Sequence, residues 1–248
     1  MVTLAHFHKY FTSVDSFQGA GRWPPNWPKV TDAQTELYQL TVGILGYGSI
    51  GRNVARLLTG FNVNVTTLTS SRKSTPEERR QRDDFIVPGT GDIDGEIPSK
   101  WYASTDKEDK REFFETADVV IVTAPYTPAT KHMVDATALS QMKKTALIVN
   151  IARGKLIDQK ALIKVLEKKE IGGAALDVVT PEPYPSDGDF LTKGIGGKGD
   201  RERLILTPHY SGHTSRYTER VVQILEENLN RLENGKTLWN KIDRKKGY

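Results

Sequence analysis

The chain has 248 residues, 37% of them apolar, and a formal net charge of +4 from 35 basic and 31 acidic side chains. It is long enough to bury a substantial core. It has no cysteine for a disulfide, a thiolate metal site or a thiol nucleophile, and no apolar run of membrane-spanning length. The slight basic excess is scattered rather than gathered on one face, unlike a nucleic-acid footprint, and the start MVTLAHFHKYF has no basic leader region. The composition reads as a soluble, cytosolic protein.

Residues 1–13 predict a short helix, and GAGRWPPNWPKV (19–30) then breaks regular structure with proline and glycine. Trp23 and Trp27 in that arm need a surface to cover them, as do Phe7, Tyr10 and Phe11 before it. From Thr41 onward, short apolar strands alternate with helical stretches. VGIL (42–45), VNVTTL (63–68), DVVIVTAP (118–125), TALIVNIA (145–152), GGAALDVV (172–179) and RLILTPH (203–209) are the predicted strands, the first apolar throughout, as a strand buried on both faces should be. Helices are expected over Ile50–Leu58, with Ile50, Val54, Leu57 and Leu58 apolar, and after Thr75, where a cap residue, Pro76 and Glu78 give an N-terminal signature. A third is expected from Asp158 to Lys169, with Leu162, Val165 and Leu166 on one stripe. Two stretches read as long loops, DDFIVPGTGDIDGEIPSKWY (83–102) and PEPYPSDGDFLTKGIGGKGDRER (181–203). The cluster RKSTPEERRQR (72–82) reads as a solvated helix face. A final helix runs from about Thr214 to Glu233, with Val221, Ile224, Leu225, Leu229 and Leu232 facing one way. Strand and helix in alternation imply an α/β fold with a doubly wound parallel sheet.

Gly46-Tyr47-Gly48-Ser49-Ile50-Gly51 matches G-x-G-x-x-G between an apolar strand and an amphipathic helix. In that context the first glycine permits the tight turn, the second lets a pyrophosphate approach the backbone, and the third packs helix against strand. The amides of Ser49 and Ile50 would face the phosphates at the helix start. The acid that usually binds the adenosine ribose should end the second strand, but that point falls on Thr69. The sequence continues Ser70, Ser71, Arg72, Lys73. A carboxylate there would repel a 2′-phosphate, whereas hydroxyls and cations would bind it, so NADP(H) is the expected cofactor, with NAD(H) as the other possibility.

Further ordered motifs follow: ADVVIVTAPYTPATKHMVDATALSQMKKTALIVNIARGKLID, AALDVVTPEP and LTPHYSGHT. With GYGSIG they make the chain, from about Leu37 to the C-terminus, similar to the D-isomer-specific 2-hydroxyacid dehydrogenases. The resemblance implies a Rossmann-type dinucleotide-binding domain, an NAD(P)-dependent oxidoreductase acting on a 2-oxo or 2-hydroxy acid, and a catalytic set of Arg153, Glu182 and His209. It also implies that Asp177 lies near the nicotinamide, that Pro125 lies beside the cofactor, and that Ala124, Thr130, Ile151 and Gly212 complete its surroundings. The chemistry agrees: a guanidinium can fork onto a carboxylate, a histidine can give a proton to the carbonyl oxygen, and a glutamate can hold that histidine protonated and oriented. Alone, an arginine before glycine is an ordinary loop charge and a histidine after Thr-Pro an ordinary turn residue; the ordered triad favours function. No metal spacing is found among His6, His8, His132 and His213.

Full-length members of that family resemble a two-lobed clamp, and this sequence lacks nearly all of the N-terminal substrate lobe. The expected organisation is an N-terminal helix and arm over 1–36, a dinucleotide-binding domain over 37–212 and a C-terminal helix and tail over 213–248. The resemblance also implies a homodimer, with the arm lying on the partner. Two functions stand side by side: a dehydrogenase acting on a small-molecule carbonyl substrate, and a homologue that binds NADP(H) without dehydrogenase activity or with other chemistry on a larger ligand. Formate dehydrogenation is disfavoured by Glu182, the acid of hydroxyacid enzymes.

Overall fold

The computed structural model describes residues 36–81, 85–192, 195 and 203–243. The predicted helix over 1–13, the Trp23–Trp27 arm, and His6 and His8 lie outside them.

Seven parallel strands form one sheet: β1 (Thr41–Leu45), β2 (Asn64–Thr69), β3 (Lys100–Ala103), β4 (Val119–Val122), β5 (Leu147–Asn150), β6 (Gly173–Leu176) and β7 (Leu204–Leu206). Their order is β3-β2-β1-β4-β5-β6-β7. β1, β4, β5 and β6 are buried along nearly their whole length, because helices cover both faces and every side chain meets a hydrophobic layer. One layer holds Phe113, Phe114, Leu139, Ile148, Leu162, Leu166 and Phe190. The other holds Val42, Ile44, Tyr47, Ala55, Trp101, Ile121 and Val149.

The helices are α1 (Ser49–Leu58), α2 (Pro76–Arg79), α3 (Lys107–Thr116), α4 (Ala136–Gln141), α5 (Gln159–Glu167), α6 (Asp189–Thr192) and α7 (Tyr217–Glu233). The order reverses at β1, which pairs with β2 on one side and β4 on the other. Sheets of this kind open a crevice at that switch point, beyond the carboxyl ends of the strands.

Several expectations need correction. The stretch 83–102 is not loop to its end: β3 begins at Lys100, with Trp101 and Tyr102 buried. Four residues following Gly and Pro give too short a signal to read as a strand. α3 carries only two apolar side chains, Phe113 and Phe114, adjacent and both fully buried, so no helical period announces it. The Thr75 cap is real, with a reciprocal capping box to Glu78, but the helix it starts has four residues. The loop after Pro181 is anchored by α6, where Phe190 is buried against Tyr184; its residues 193–194 and 196–202 lie outside the described ones. On α1 the buried face carries Gly51, Arg52, Ala55 and Leu58, while Ile50 and Leu57 are exposed. Of the apolar stripe read from the sequence, Leu58 is buried and Val54 packs against the core, while Ile50 and Leu57 face outward. On α7, Val221, Leu225, Leu229 and Leu232 are exposed among the described residues.

Candidate active site

β1 ends at Leu45 and the chain turns sharply at Gly46, whose φ is +92°. A Cβ there would lie 2.6 Å from the backbone of Ala124, and one at Gly51 would lie 2.4 Å from the Gly46 carbonyl oxygen. Both glycines are therefore dictated by close approach, that of strand β4 in one case and of α1 in the other. Thr123 Oγ1 donates to the Gly46 oxygen at 2.6 Å and fixes the turn from the β4 side. Gly48, by contrast, has no atom within 4 Å of where a Cβ would be. It is the N-cap of α1, brings no side-chain cap, and is followed by no acid in the first turn. The first-turn amides and the positive end of the helix dipole thus face open space, a site fitted to an anion such as a pyrophosphate.

The glycine loop is one wall of a cleft of about 950 Å³. Gly48, Ser49 and Ile50 line it on that side, Thr123 to Tyr126 follow β4, Ile151 to Lys155 follow β5, and Val179 to Glu182 follow β6. All four walls come from carboxyl ends of strands.

Arg153 is held by a turn that begins at Asn150, a buried side chain at the end of β5. Asn150 Nδ2 donates to the Arg153 carbonyl at 3.0 Å, and its Oδ1 accepts from the Ala152 amide at 3.0 Å. The guanidinium donates through Nη1 to the Ala152 carbonyl at 2.6 Å and is otherwise presented to the cleft. Lys155 follows two residues later, with Nζ 5.9 Å from the centre of the Tyr126 ring. Neither cation is in an ion pair with a carboxylate among the described residues, and Glu182 is the acid on the same cleft lining.

His209 sits in a left-handed conformation with φ +56°. Its amide donates to the Asp177 carbonyl at 2.9 Å. The buried Asp177 carboxylate accepts from Thr207 Oγ1 at 2.5 Å, the Tyr210 amide at 3.0 Å and the Ser211 amide at 3.1 Å. Burial alone would push this carboxyl up, but the hydrogen bonds from Thr207, Ser211 and Tyr210 outweigh it and hold it below the usual carboxylate range. Asp177 is thus a clamp on the turn that presents His209. Glu182 Oε2 accepts from His209 Nδ1 at 2.9 Å, and Oε1 accepts from the Val179 amide at 2.9 Å. Because a carboxylate only accepts, that contact places the imidazole hydrogen on Nδ1. The Glu182 turn is itself pinned by Gln159 at the start of α5, whose amide exchanges bonds of 2.9 Å and 3.0 Å with the Thr180 backbone.

At the adenosine end, Thr69 closes β2 and its hydroxyl donates to the Ser71 carbonyl at 2.7 Å. Ser70 and Ser71 are exposed and Lys73 half-buried. Arg72 forks onto Asp109, with Nε donating to Oδ2 at 3.1 Å and Nη2 to Oδ1. Burial pushes the Asp109 carboxyl up; Arg72 and the Ala103 amide pull it down further, for a net lowering. Arg72 therefore has its charge already partnered, although its side chain is 55% exposed, and with Lys73 it lines a cavity separate from the cleft described above.

Of the predicted residues, Gly48, Ser49, Ile50, Ala124, Pro125, Ile151, Arg153 and Glu182 line one cleft, and His209 joins it through Glu182. Gly46 and Gly51 shape the loop. Thr130 spends its hydroxyl on the Pro125 carbonyl at 2.8 Å, shaping the β4 turn, and Gly212 is exposed outside the lining. The sequence reading missed Thr123, Tyr126, Lys155, Asn150 and Gln159. Only Asn150 carried a signal: a polar amide closing an apolar strand just before a turn.

The model of the D-isomer specific 2-hydroxyacid dehydrogenase NAD binding domain matches residues 1–86 and 97–211. A glyoxylate reductase of Thermococcus gammatolerans is 32% identical over 234 residues, covering 92% of this chain and 60% of its own. The chain spans about 60% of the length of the curated relatives it matches. Among solved structures, a D-isomer specific 2-hydroxyacid dehydrogenase from Xanthobacter autotrophicus in complex with NADPH and MES superposes with a TM-score of 0.72 at 23% identity, covering 100% of this chain and 85% of that one. An NADPH-dependent glyoxylate/hydroxypyruvate reductase from Sinorhizobium meliloti in complex with NADP and sulfate gives 0.73 at 21%, covering 100% and 67%. At these identities the two structures show a common fold.

Proposed function

The chain belongs to the D-isomer specific 2-hydroxyacid dehydrogenases through their NAD-binding domain, and from this we propose that it binds NADP(H) along the glycine loop and interconverts a 2-oxo acid with its 2-hydroxy acid. The bound nicotinamide would supply or accept the hydride. The chain's own residues do the rest. Gly48, Ser49 and Ile50 offer amides to the pyrophosphate, and Ala124, Pro125 and Ile151 border the nicotinamide end. Arg153 forks onto the substrate carboxylate and polarises the adjacent carbonyl. His209 in its protonated form, with hydrogen on both ring nitrogens, gives its Nε2 proton to the carbonyl oxygen as the carbon is reduced, and the neutral ring takes it back at Nε2 in the reverse direction. Glu182 holds Nδ1 and so orients the ring. The observation that carries this reading is the 2.9 Å Glu182–His209 contact on the rim of the cleft that also holds Arg153.

The T. gammatolerans relative is named a glyoxylate reductase, which makes short 2-oxo acids such as glyoxylate and hydroxypyruvate the first substrates to try. NADP(H) over NAD(H) rests on Thr69, Ser70, Ser71 and Lys73 standing where an acid would repel the 2′-phosphate; the partnering of Arg72 with Asp109 weakens that preference without reversing it. A second reading, binding without turnover, is favoured by one observation. The His209 and Glu182 side chains are 50% and 37% exposed, and an acid–base pair open to water positions and desolvates poorly.

Following loss of reduced nicotinamide absorbance with NADPH and a panel of 2-oxo acids tests both readings. Turnover that vanishes in Arg153→Ala and His209→Ala is the expected result. Tight NADPH binding with no turnover across the panel selects the second reading, and tighter NADH than NADPH refutes the cofactor preference.

A further inference from the structure

Arg52 is an arginine in the first turns of α1, immediately behind the glycine loop, and it is only 5% exposed. A guanidinium is almost never buried unless its donors are satisfied. Here three separate segments satisfy it. Nε donates to the Tyr47 carbonyl at 3.2 Å, Nη1 to the Asp92 carbonyl at 2.5 Å, and Nη2 to the Arg79 carbonyl at 2.5 Å. The rings of Tyr47 and Trp101 flank it, their centres 4.9 Å and 6.0 Å away. Asp92 adds a second tie, accepting from the Tyr47 hydroxyl at 2.7 Å and from the amides of Glu96 and Ile97 at 3.1 Å and 3.2 Å. Burial and then the Asp92 contact push the Tyr47 phenol up, so it remains a donor. The Gly91 amide reaches Asn53 on α1 at 3.3 Å, and Gln81 Nε2 reaches Ser49 Oγ at 2.9 Å.

Residues 87–96 are the stretch that the family match skips, yet they supply Asp92 and Gly91 to these contacts. The carbonyl that Arg52 holds belongs to the peptide joining Tyr47 to Gly48. In a trans peptide the C=O and the following N–H point in opposite directions. Anchoring the Tyr47 oxygen toward Arg52 therefore turns the Gly48 amide away from it, and Gly48 lines the cleft.

We propose that residues 87–96 brace the glycine loop from behind, with Arg52, Tyr47 and Asp92 as positioning residues that aim the Gly48 amide at a pyrophosphate. The inference rests on the reading of this loop as a dinucleotide site. It concerns a segment outside the family match and three residues that are not part of the cleft lining.

The test measures dissociation constants for NADPH and for ADP, which keeps the pyrophosphate and lacks the nicotinamide, together with the melting temperature of the free protein. Tyr47→Phe removes one oxygen, and Asp92→Ala removes its partner. Each is expected to weaken both nucleotides about five- to tenfold, the effect of one lost hydrogen bond in a positioning network. Asp92→Asn, which can keep the acceptor for Tyr47 and Ile97 but loses the one for the Glu96 amide, is expected to bind both nucleotides more tightly than Asp92→Ala. At saturating ADP, the Gly48 amide resonance should move less in Tyr47→Phe than in wild type, a difference that lower stability alone does not produce. Wild-type constants and a full-sized Gly48 shift in Tyr47→Phe overturn the brace, and that variant decides the matter if Asp92→Ala does not fold. Wild-type protein that binds neither nucleotide refutes instead the dinucleotide reading beneath it.

Discussion

Arg153 and His209 reach the cleft on short turns, and each turn is locked by a buried polar side chain at the end of a strand, Asn150 for one and Asp177 for the other. In the proposed reaction the two side chains give different things to a substrate, so their removal should differ in kind. Arg153→Ala loses ground-state recognition as well as polarisation: KM for a 2-oxo acid is expected to rise at least about tenfold, kcat to fall, and Arg153→Lys to restore little, because an ammonium does not fork. His209→Ala should lower kcat by about 10²–10⁴, the usual worth of a positioned acid–base group, with the NADPH dissociation constant unchanged. Steady-state kinetics beside equilibrium binding separates the two, and equal losses of cofactor affinity in both variants would contradict the assignment. Asp177 gives a pH signature. Its folded-state carboxyl lies below its ordinary value of 3.8, so its contribution to stability is complete above about 3.8 and is lost as pH falls through the lower, folded value. Melting temperature should therefore fall more steeply below about pH 4 in wild type than in Asp177→Asn. Parallel curves would mean that the carboxylate does not act as a charged clamp.

Among the elements, the informative contact lies between α3 and the segment that follows β2. Asp109, in the first turn of α3, accepts from the Ala103 amide at 2.8 Å and takes the fork of Arg72. The same carboxylate thus pins β3 to α3 and neutralises one of the two cations proposed to favour a 2′-phosphate. Replacing it by asparagine keeps an acceptor for Ala103 and removes the forked partner of Arg72, leaving Asp106 Oδ2 at 3.9 Å as its remaining carboxylate. The preference for NADPH over NADH, read as a ratio of dissociation constants, should rise about threefold or more, since an exposed cation at this range contributes of the order of 1 kcal/mol. A fall in the ratio would show instead that Arg72 must be held by Asp109 to work. No sequence pattern announces this pair, because its partners are 37 residues apart and α3 has no apolar period. What the sequence does announce follows the same logic. Strands buried on both faces are apolar throughout and stand out, and a glycine loop between strand and helix has its own spacing. β3 is a short edge strand behind a Gly- and Pro-rich stretch, and the buried face of α1 is centred on an arginine, which hydrophobic periodicity reads as surface. Arg153, Glu182 and His209, the residues proposed for the chemistry, were read from an ordered set of motifs, whereas Gln159 and Lys155 take their places only through neighbours that the fold brings to them.

For the molecule as a whole, the sheet gathers four strand ends into one cleft and leaves one apolar face and one group of aromatic residues to be accounted for. One is the α7 face, where Leu225 and Leu232 are 57% and 64% exposed among the described residues; no helix of those residues is long and apolar enough to cross a membrane. The other is the set of aromatic residues Phe7, Tyr10, Phe11, Trp23 and Trp27 in the N-terminal segment, outside the described residues. An apolar helix face of this kind is uncommon on a monomer, and a two-fold pairing in which the N-terminal arm of one copy covers its partner would bury it and give the arm's aromatic residues a surface. We therefore propose a homodimer. Light scattering on the eluting peak should give twice the 27.7 kDa of the chain at micromolar concentration, and the double substitution Trp23→Ala, Trp27→Ala should shift the midpoint of dissociation upward by about 10²-fold or more, since buried tryptophans are among the strongest interface anchors. If α7 rather than the arm makes the interface, Leu225→Glu will break the dimer while the tryptophan variant leaves it intact. A single-chain mass at micromolar concentration ends the proposal in either form.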